Sequence, residues 1–217
     1  MTIVFADVAS QAICAFHDRH VADKDWPQWA QGAQGAQGAQ GAQASASADD
    51  AVWASVAANH RCNIRLWDEE DQARRTDVGT DAIAANKRAI DRFNQKRNDA
   101  IEKMDEALLA RLASVPIMPD AWHNSETAGA IIDRLSILSL KRFHMDAQTR
   151  RTDVSAEHVS VCREKLRQIE VQRSDLASCF DRLLSLASEG RAFWRVYRQF
   201  KMYNSPETNP YLYGGKQ

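Results

Sequence analysis

Two acidic stretches of the sequence have the spacing of a metal or acid–base site on helices. The first is WDEEDQARR, which contains Glu70, and the second is IEKMDEAL, in which Glu102 and Asp105 lie one helical turn apart. Two acids from each of two helices can hold Mg²⁺ against a phosphate, or serve as acid and base. The first half of the pattern is incomplete, because Ala73 and Arg74 stand where further acids would be expected. Ion pairing with basic side chains is therefore the alternative, and we assign no residue as a metal ligand.

Charged side chains also extend or interrupt the apolar faces of the helical segments. A solvated helix face would place them opposite the apolar stripe. We therefore predict either an internal ion-pair network that fixes helix register or a polar cavity between helices that binds an anion. The candidate anion-binding residues are Lys87, Arg97, Arg134, Lys141, Arg198 and Lys201. The candidate acid–base residues are Glu70, Glu102, Asp105 and His144.

Several other chemistries lose support because their motifs are missing from the sequence. It contains no ExxH pair for a di-iron site, and no GxSxG, P-loop or GxGxxG motif. The segment GRAFWRVYRQFKMYN, residues 190–204, alternates cations with aromatic side chains. This pattern fits either phosphate binding with stacking or an amphipathic helix that docks through its aromatic face.

The totals are those of an ordinary globular protein of one domain. The chain has 217 residues, a net charge of -1, 44% hydrophobic and 26% charged residues. Without an overall positive charge, nucleic acid is not an expected partner. The N-terminus lacks the basic region of a signal peptide and no apolar window is long enough to span a membrane, so we expect a cytoplasmic protein. The four scattered cysteines indicate reduced core thiols.

Apolar periodicity predicts an all-α fold, a single bundle of long antiparallel helices. Helices are expected over residues 2–20, 50–76, 80–114, 126–147, 153–188 and 191–204. Asp49 or Asp50 and Ser125 are the expected N-caps of two of them, and Gly190 is expected to close the fifth. The predicted domains are an N-terminal helix (1–24), a flexible Ala/Gln/Gly loop (25–49), the bundle (50–204) and a C-terminal tail (205–217). Long amphipathic helices of this kind often share faces, so we also expect a homodimer.

Five segments resemble, in this order, a bacterial family of uncharacterised helical proteins known as a domain of unknown function. They are NHRCNIRLWDEEDQAR, IAANKRAIDRFNQKRNDAIEKMD, ETAGAIIDRLSILSLKRFHM, CREKLRQIEVQRSDL and VYRQFKMYNSPETNPYLY. The resemblance covers about residues 50–213 and excludes the Ala/Gln/Gly loop. Ala128 stands where the family often has proline. The family pattern includes Asn63, Trp67, Glu70, Arg74, Lys87, Arg88, Asp91, Asn94, Arg97, Asn98, Glu102, Asp105, Glu126, Asp133, Arg134, Lys141, His144, Arg198, Lys201, Tyr203 and Asn204.

Genes of this family often lie among glycosyltransferase and surface-polysaccharide genes. The resemblance therefore implies a role in envelope glycan metabolism, with a phosphate-bearing sugar or nucleotide sugar as the ligand. One alternative is a noncatalytic helical partner of a glycosyltransferase. Another is an all-α nucleotide pyrophosphohydrolase that uses Mg²⁺ as its cofactor. The resemblance carries no reaction, so whether the protein is an enzyme stays open at this point.

Overall fold

The computed structural model describes residues 5–22, 48–199, 202 and 205–213. Helices dominate these ranges: α1 (Ser10–Val21), α2 (Ala48–Gln72), α3 (Thr80–Arg111), α4 (Ala128–Thr149), α5 (Ala156–Ser188) and α6 (Pro210–Tyr213). A 3₁₀ turn (Ala6–Val8) precedes α1, and two short strands, β1 (Trp122–His123) and β2 (Ala192–Phe193), pair in parallel. The predicted all-α fold is confirmed. Among the described helices, none combines the length and the apolar character that crossing a bilayer requires. The predicted Ala/Gln/Gly loop lies almost wholly outside the described residues.

The four long helices form two hairpins, α2–α3 and α4–α5, and α4 lies between its own partner and the other helices. Residues 73–79 join α2 to α3, residues 150–155 join α4 to α5, and α4 also contacts α1, α2 and α3. The central position of α4 follows from its sequence, which is apolar on more than one face between Ala128 and Leu140. Each of the helices α1 to α5 contributes side chains with no exposed surface to the core: Ile13, Val56, Met104, Leu108, Ile132, Leu135, Phe180 and Leu183. Burying each such side chain contributes about 1.5–3 kcal/mol.

The helix ends differ from the predicted ones by a few residues. α2 begins at Ala48, so the expected aspartate caps lie inside it. α4 begins two residues later than predicted, because Thr127 rather than Ser125 is its cap, and the Thr127 hydroxyl accepts a hydrogen bond from the Ala130 amide at 3.1 Å. α5 ends as predicted at Gly190, whose φ of 73° is a left-handed conformation that glycine adopts without strain.

The helix predicted over residues 191–204 is wrong over its described part. The chain instead forms β2, and the Trp122 amide donates to the Arg191 carbonyl at 2.8 Å. Ala192 and Trp194 are buried and the residues between and after them are more exposed, which is the period of two of a strand. The apolar run fits either structure locally, and pairing with β1, a distant partner in the sequence, selects the strand.

A buried histidine pair joins α1 to α2. The rings of His17 and His60 stack with centroids 4.5 Å apart, and neither residue has exposed surface. His60 Nδ1 lies 2.7 Å from Ser136 Oγ on α4. Burial lowers the pKa of His60 to about 3, and burial, followed by the nearby His60 and Arg173, lowers the pKa of His17 well below its usual range. Both imidazoles are therefore neutral in the folded protein at physiological pH.

Candidate functional site

A cavity of about 310 Å³ lies between α2, α3 and α4, at the lower end of the volumes usual for small-molecule pockets. Its α2 residues are mostly three or four positions apart, so they share one helix face. We call it the three-helix cavity. It is lined by Asn63, Leu66, Trp67, Glu70, Asp71, Arg74, Asn94, Arg97, Ile137 and Leu140. Six of these, Asn63, Trp67, Glu70, Arg74, Asn94 and Arg97, are among the positions named in the sequence resemblance described above.

A closed network of polar side chains lies beneath the cavity. Asp133 Oδ1 on α4 accepts hydrogen bonds from the side-chain amides of Asn59 at 2.8 Å and Asn63 at 2.9 Å. The Asn63 amide also lies 3.0 Å from Ser136 Oγ, which in turn contacts His60. All five residues are buried. A buried carboxylate is tolerated when hydrogen bonds and an opposite charge compensate its lost hydration, so this network fixes the register of α2 against α4.

Arg97 connects this network to the cavity. Its Nε lies 3.9 Å from Asp133 Oδ1, which is an ion pair but too long for a hydrogen bond. Only 28% of the side chain is exposed, and Nε is buried without a hydrogen-bond partner. A guanidinium has five N–H donors and normally pairs with planar acceptors such as carboxylate or phosphate. Arg97 therefore holds donor capacity that the described residues do not use.

The remaining polar side chains of the cavity are amides and an exposed ion pair. Asn94 forms no side-chain hydrogen bond with any described residue, whereas Glu70 pairs with Arg74 at 2.8 Å. Glu70 and Arg74 lie four residues apart on α2, and both are about half exposed or more. Such surface pairs contribute little to stability, so a ligand can replace their interaction at small cost. Asp71 adds a second carboxylate at the rim.

An aromatic wall closes one side of the cavity. The Trp67 indole stacks on the imidazole of His144, with centroids 4.3 Å apart and planes 3° from parallel. Burial lowers the pKa of His144, and the carboxylates of Asp71 and Asp68 oppose this effect. Trp67 lines the cavity and His144 does not. His144 therefore lies behind Trp67 and supports the indole ring through the stack.

Arg134 and Lys141 lie outside the three-helix cavity. They line a larger groove of about 690 Å³ between α4 and α5, which we call the α4–α5 groove. Arg134 donates two hydrogen bonds to Glu126, at 2.7 and 2.9 Å. Lys141 is exposed and makes no ion pair or hydrogen bond within the described ranges. The prediction that these two cations share one anion site with Arg97 is therefore not met in the three-helix cavity, because both face the adjoining groove.

Asp105 and Glu102 have other environments. Asp105 is 1% exposed and accepts a hydrogen bond from the Gly129 amide at 2.7 Å. Burial raises its pKa to about 6, although the Thr127 hydroxyl, the Gly129 amide and the Trp194 indole partly oppose this effect. Glu102 faces the C-terminal segment, where it accepts from the Gln199 amide at 3.2 Å and where Arg198 is 3.7 Å away. Arg198 also pairs with Glu106 at 2.8 Å. These contacts hold α3 to α4 and to the chain after β2.

The two acidic stretches are far apart on the α2–α3 hairpin. Asn86 donates to Glu69 at 2.7 Å, which places Glu70 opposite the first turns of α3. Glu102 lies 16 residues beyond Asn86, roughly 24 Å along the helix at 1.5 Å per residue. No group of three or more metal-ligating side chains occurs among the residues that the structure describes. Glu70 and the pair of Glu102 and Asp105 therefore do not form one site.

Of the two remaining predicted anion-binding residues, Lys87 does not line the three-helix cavity and Lys201 cannot be compared with it. Lys87 is exposed on α3 and pairs with Asp91 at 2.9 Å. Lys201 lies outside the described residues. Two members of the buried network are not among the predicted site residues: Asn59, which donates to Asp133, and Ser136, which accepts from Asn63. The available signal was weak, since Asn59 lies one turn before Asn63 and a single polar residue on an apolar stripe does not identify its partner.

Much of the chain matches the model of a known protein family. Residues 53–196, more than half of the chain, match the family model described as "Protein of unknown function (DUF4254)". No curated protein and no solved structure matches the chain significantly. The matched segment includes the whole three-helix cavity and the whole α4–α5 groove.

Proposed function

The chain belongs to the DUF4254 family, and for this member we propose that it binds a phosphate-bearing sugar or nucleotide sugar in the three-helix cavity. The ligand would be an intermediate of envelope glycan synthesis and the protein would act in the cytoplasm. The sequence resemblance described above, which implies a context of glycosyltransferase and surface-polysaccharide genes, motivates this choice of pathway. A homodimer belongs to the same proposal.

The observation that carries the proposal is the unused hydrogen-bonding capacity of Arg97. The side chain is nearly three-quarters buried, Nε is fully buried, and the guanidinium makes no hydrogen bond with a described residue. Leaving buried donors unsatisfied costs about 1–3 kcal/mol, and more for charged groups. A phosphate oxygen in the cavity would accept from this guanidinium while Asp133 continues to balance its charge.

The other lining residues suit a polyhydroxyl group beside that phosphate. Asn63 and Asn94 offer amide oxygens and an amide nitrogen, and Glu70 and Asp71 offer carboxylates that accept from hydroxyl groups. Trp67 provides an apolar face for the C–H surface of a sugar ring. If the protein is an enzyme, Glu70 and Asp71 are the groups placed to act as acid or base. These features favour a sugar phosphate over a simple inorganic anion.

Thermal unfolding with a panel of sugar 1-phosphates, nucleoside diphosphate sugars and inorganic phosphate, each with and without Mg²⁺, tests the proposal. A ligand at a hundred times its dissociation constant adds about 2.7 kcal/mol. For a chain of this size that raises Tm by roughly 5–10 °C. In Arg97→Met the ligand-induced rise should fall by at least half relative to the same variant without ligand.

Arg92→Met is the matched control, because Arg92 is exposed on the same helix and lines neither cavity nor groove. It should keep the full ligand-induced rise. An equal rise in wild type and Arg97→Met would remove Arg97 from the site. A panel without any stabilising compound would reject sugar-phosphate binding and would favour the noncatalytic partner of a glycosyltransferase.

That second candidate has one observation in its favour. The buried polar residues between α2 and α4 hydrogen-bond to one another, as expected where they only fix the register of the helices. They are Asn59, Asn63, Asp133, Ser136 and His60. A pull-down with the wild-type chain that recovers a glycosyltransferase would support this reading. We do not propose the Mg²⁺-dependent pyrophosphohydrolase, because Glu70 and Glu102 are too far apart to share one ion.

A further inference from the structure

The α4–α5 groove and the three-helix cavity adjoin each other. Ile137, on α4, lines both. The side chain is half-buried and forms part of the wall of both spaces. From Ile131 to Lys141 the groove follows α4 for about 15 Å, at 1.5 Å per residue. A ligand longer than the small cavity can therefore continue past Ile137 into the groove.

The two sides of Ile137 each carry a cation with unused capacity. On the cavity side Arg97 makes no hydrogen bond with a described residue. On the groove side the Lys141 ammonium has no ion pair within the described ranges, whereas Arg134 is already paired with Glu126. Arg97 pairs with Asp133, one turn before Ile137, and Lys141 lies one turn after it, so the two cations attach to α4 about 12 Å apart at 1.5 Å per residue. Their long side chains can converge from both ends on two linked phosphates, whereas a single phosphate would use only one of them.

The groove has room and an aromatic surface for a planar group. Its volume is about 690 Å³, more than twice that of the three-helix cavity. Its floor includes the buried side chains of Leu138 and Leu176, and Trp122 is 52% exposed at one end. An exposed indole can stack on a heterocyclic base, which contributes about 1–3 kcal/mol per base. Gln172 and Asp175 on α5 supply polar partners for ribose hydroxyls.

We propose that the cavity and the groove form one extended site for a nucleoside diphosphate sugar, with the sugar in the three-helix cavity, the diphosphate between Arg97 and Lys141, and the nucleoside in the α4–α5 groove. This inference rests on the proposed function and narrows it to a two-ended ligand. A sugar 1-phosphate occupies only the cavity side. The base stacks on Trp122 and is not read by a dedicated set of hydrogen bonds.

The exposed thiol of Cys179 lies in the groove and reports on its occupancy. The experiment measures the rate of Cys179 alkylation by iodoacetamide, by peptide mass spectrometry, with UDP-glucose, GDP-mannose, glucose 1-phosphate or no ligand. Cys62 and Cys162 are buried and serve as internal controls for unfolding. We expect a saturating nucleoside diphosphate sugar to slow Cys179 alkylation at least fivefold. Glucose 1-phosphate should raise Tm but leave this rate unchanged.

Replacing Lys141 tests whether the diphosphate reaches the groove side of the site. Lys141→Met should lower the affinity for the nucleoside diphosphate sugar at least tenfold and leave the affinity for glucose 1-phosphate unchanged. The matched control Lys165→Met changes an exposed lysine of α5 outside the groove and should change neither affinity.

If both ligand classes raise Tm through Arg97 but Cys179 is never protected, the extended site is wrong and the proposed function stands. Equal protection of Cys179 in wild type and Arg97→Met would also overturn the extended site, because the groove would then bind independently of the cavity. If no compound raises Tm or protects Cys179, the proposed function and the extended site both fail.

Discussion

Replacing His60 by asparagine should remove a large pH dependence of stability. The imidazole is fully buried, stacks on His17 at 4.5 Å and has its Nδ1 2.7 Å from Ser136 Oγ. The asparagine amide can take the position of Nδ1 beside Ser136 but does not titrate. The two proteins therefore differ mainly in whether this position binds a proton.

The magnitude follows from the pKa of His60 in the two states. It is about 3 in the folded protein against an ordinary value of 6.5, because burial disfavours the charged ring. As pH falls below 6.5 the unfolded chain binds a proton that the folded protein does not, so stability falls by about 1.4 kcal/mol per pH unit until about pH 3. At pH 5, which is 1.5 pH units below 6.5, the loss from His60 is about 2 kcal/mol.

The assay is urea unfolding of wild type and His60→Asn at several pH values between 8 and 5. At pH 8, His60→Asn should be less stable than wild type. Only wild type loses stability through His60 as pH falls, so this difference in the free energy of unfolding should shrink by about 2 kcal/mol between pH 8 and pH 5. Asp105 titrates in both proteins, so its effect cancels in the difference. Burial, the main cause of the lowered pKa of His17, is also common to both proteins, and only the smaller effect of His60 on that pKa is lost. Phe180→Leu is a control for core damage, and its destabilisation should not change with pH because no titratable group is altered.

A constant difference between wild type and His60→Asn across this pH range would refute the reasoning. It would mean that His60 is protonated as easily in the folded protein as in the unfolded chain. The buried stack with His17 would then be open to water, contrary to its complete burial.

Two further changes test the contacts around Asp105, and a third serves as a control. Its pKa is raised to about 6 from 3.8, so its contribution to stability is present at low pH and is lost as pH rises through 6. In urea unfolding, the free energy of unfolding of Asp105→Asn relative to wild type should therefore rise by about 2 kcal/mol from pH 4 to pH 8. A relative free energy that falls over this pH range would contradict the raised pKa. Gly129→Ala should cost about 1–3 kcal/mol, because its Cβ would lie 2.7 Å from the Ile101 carbonyl oxygen and 3.0 Å from the Asp105 carboxylate. Gly79→Ala, with no atom within 4 Å of the new Cβ, is its control and should stay within about 0.5 kcal/mol of wild type.

The long helices were predictable because their signals are local. Apolar residues at helical spacing identified α2 to α5, and Gly190 identified the end of α5. The error of two residues at the start of α4 reflects two neighbouring residues, Ser125 and Thr127, that can both act as caps. The segment after Gly190 was wrong for a different reason, since β2 depends on a partner strand about 70 residues earlier, which helical periodicity does not detect.

The candidate site was predictable only as a set of residue types. Polar residues on the apolar stripes indicated that some charges would be buried, but an internal network and a cavity have the same pattern in sequence. The structure contains both an internal network and a cavity. Asp133 and its hydrogen-bond partners form the network, and Arg97 pairs with Asp133 and also lines the cavity.

By itself, the sequence determined the all-α class, the four long helices and the polar interruptions on their inner faces, because these depend on residues within a few turns of each other. Only the tertiary structure decided which charges meet. It grouped Arg97 with Glu70, placed Arg134 and Lys141 beyond Ile137, and moved Glu102 to the other end of the α2–α3 hairpin. The physical reason is that residues on different helices come together through the axial offset and rotation of whole helices, which packing of the shared core around α4 fixes.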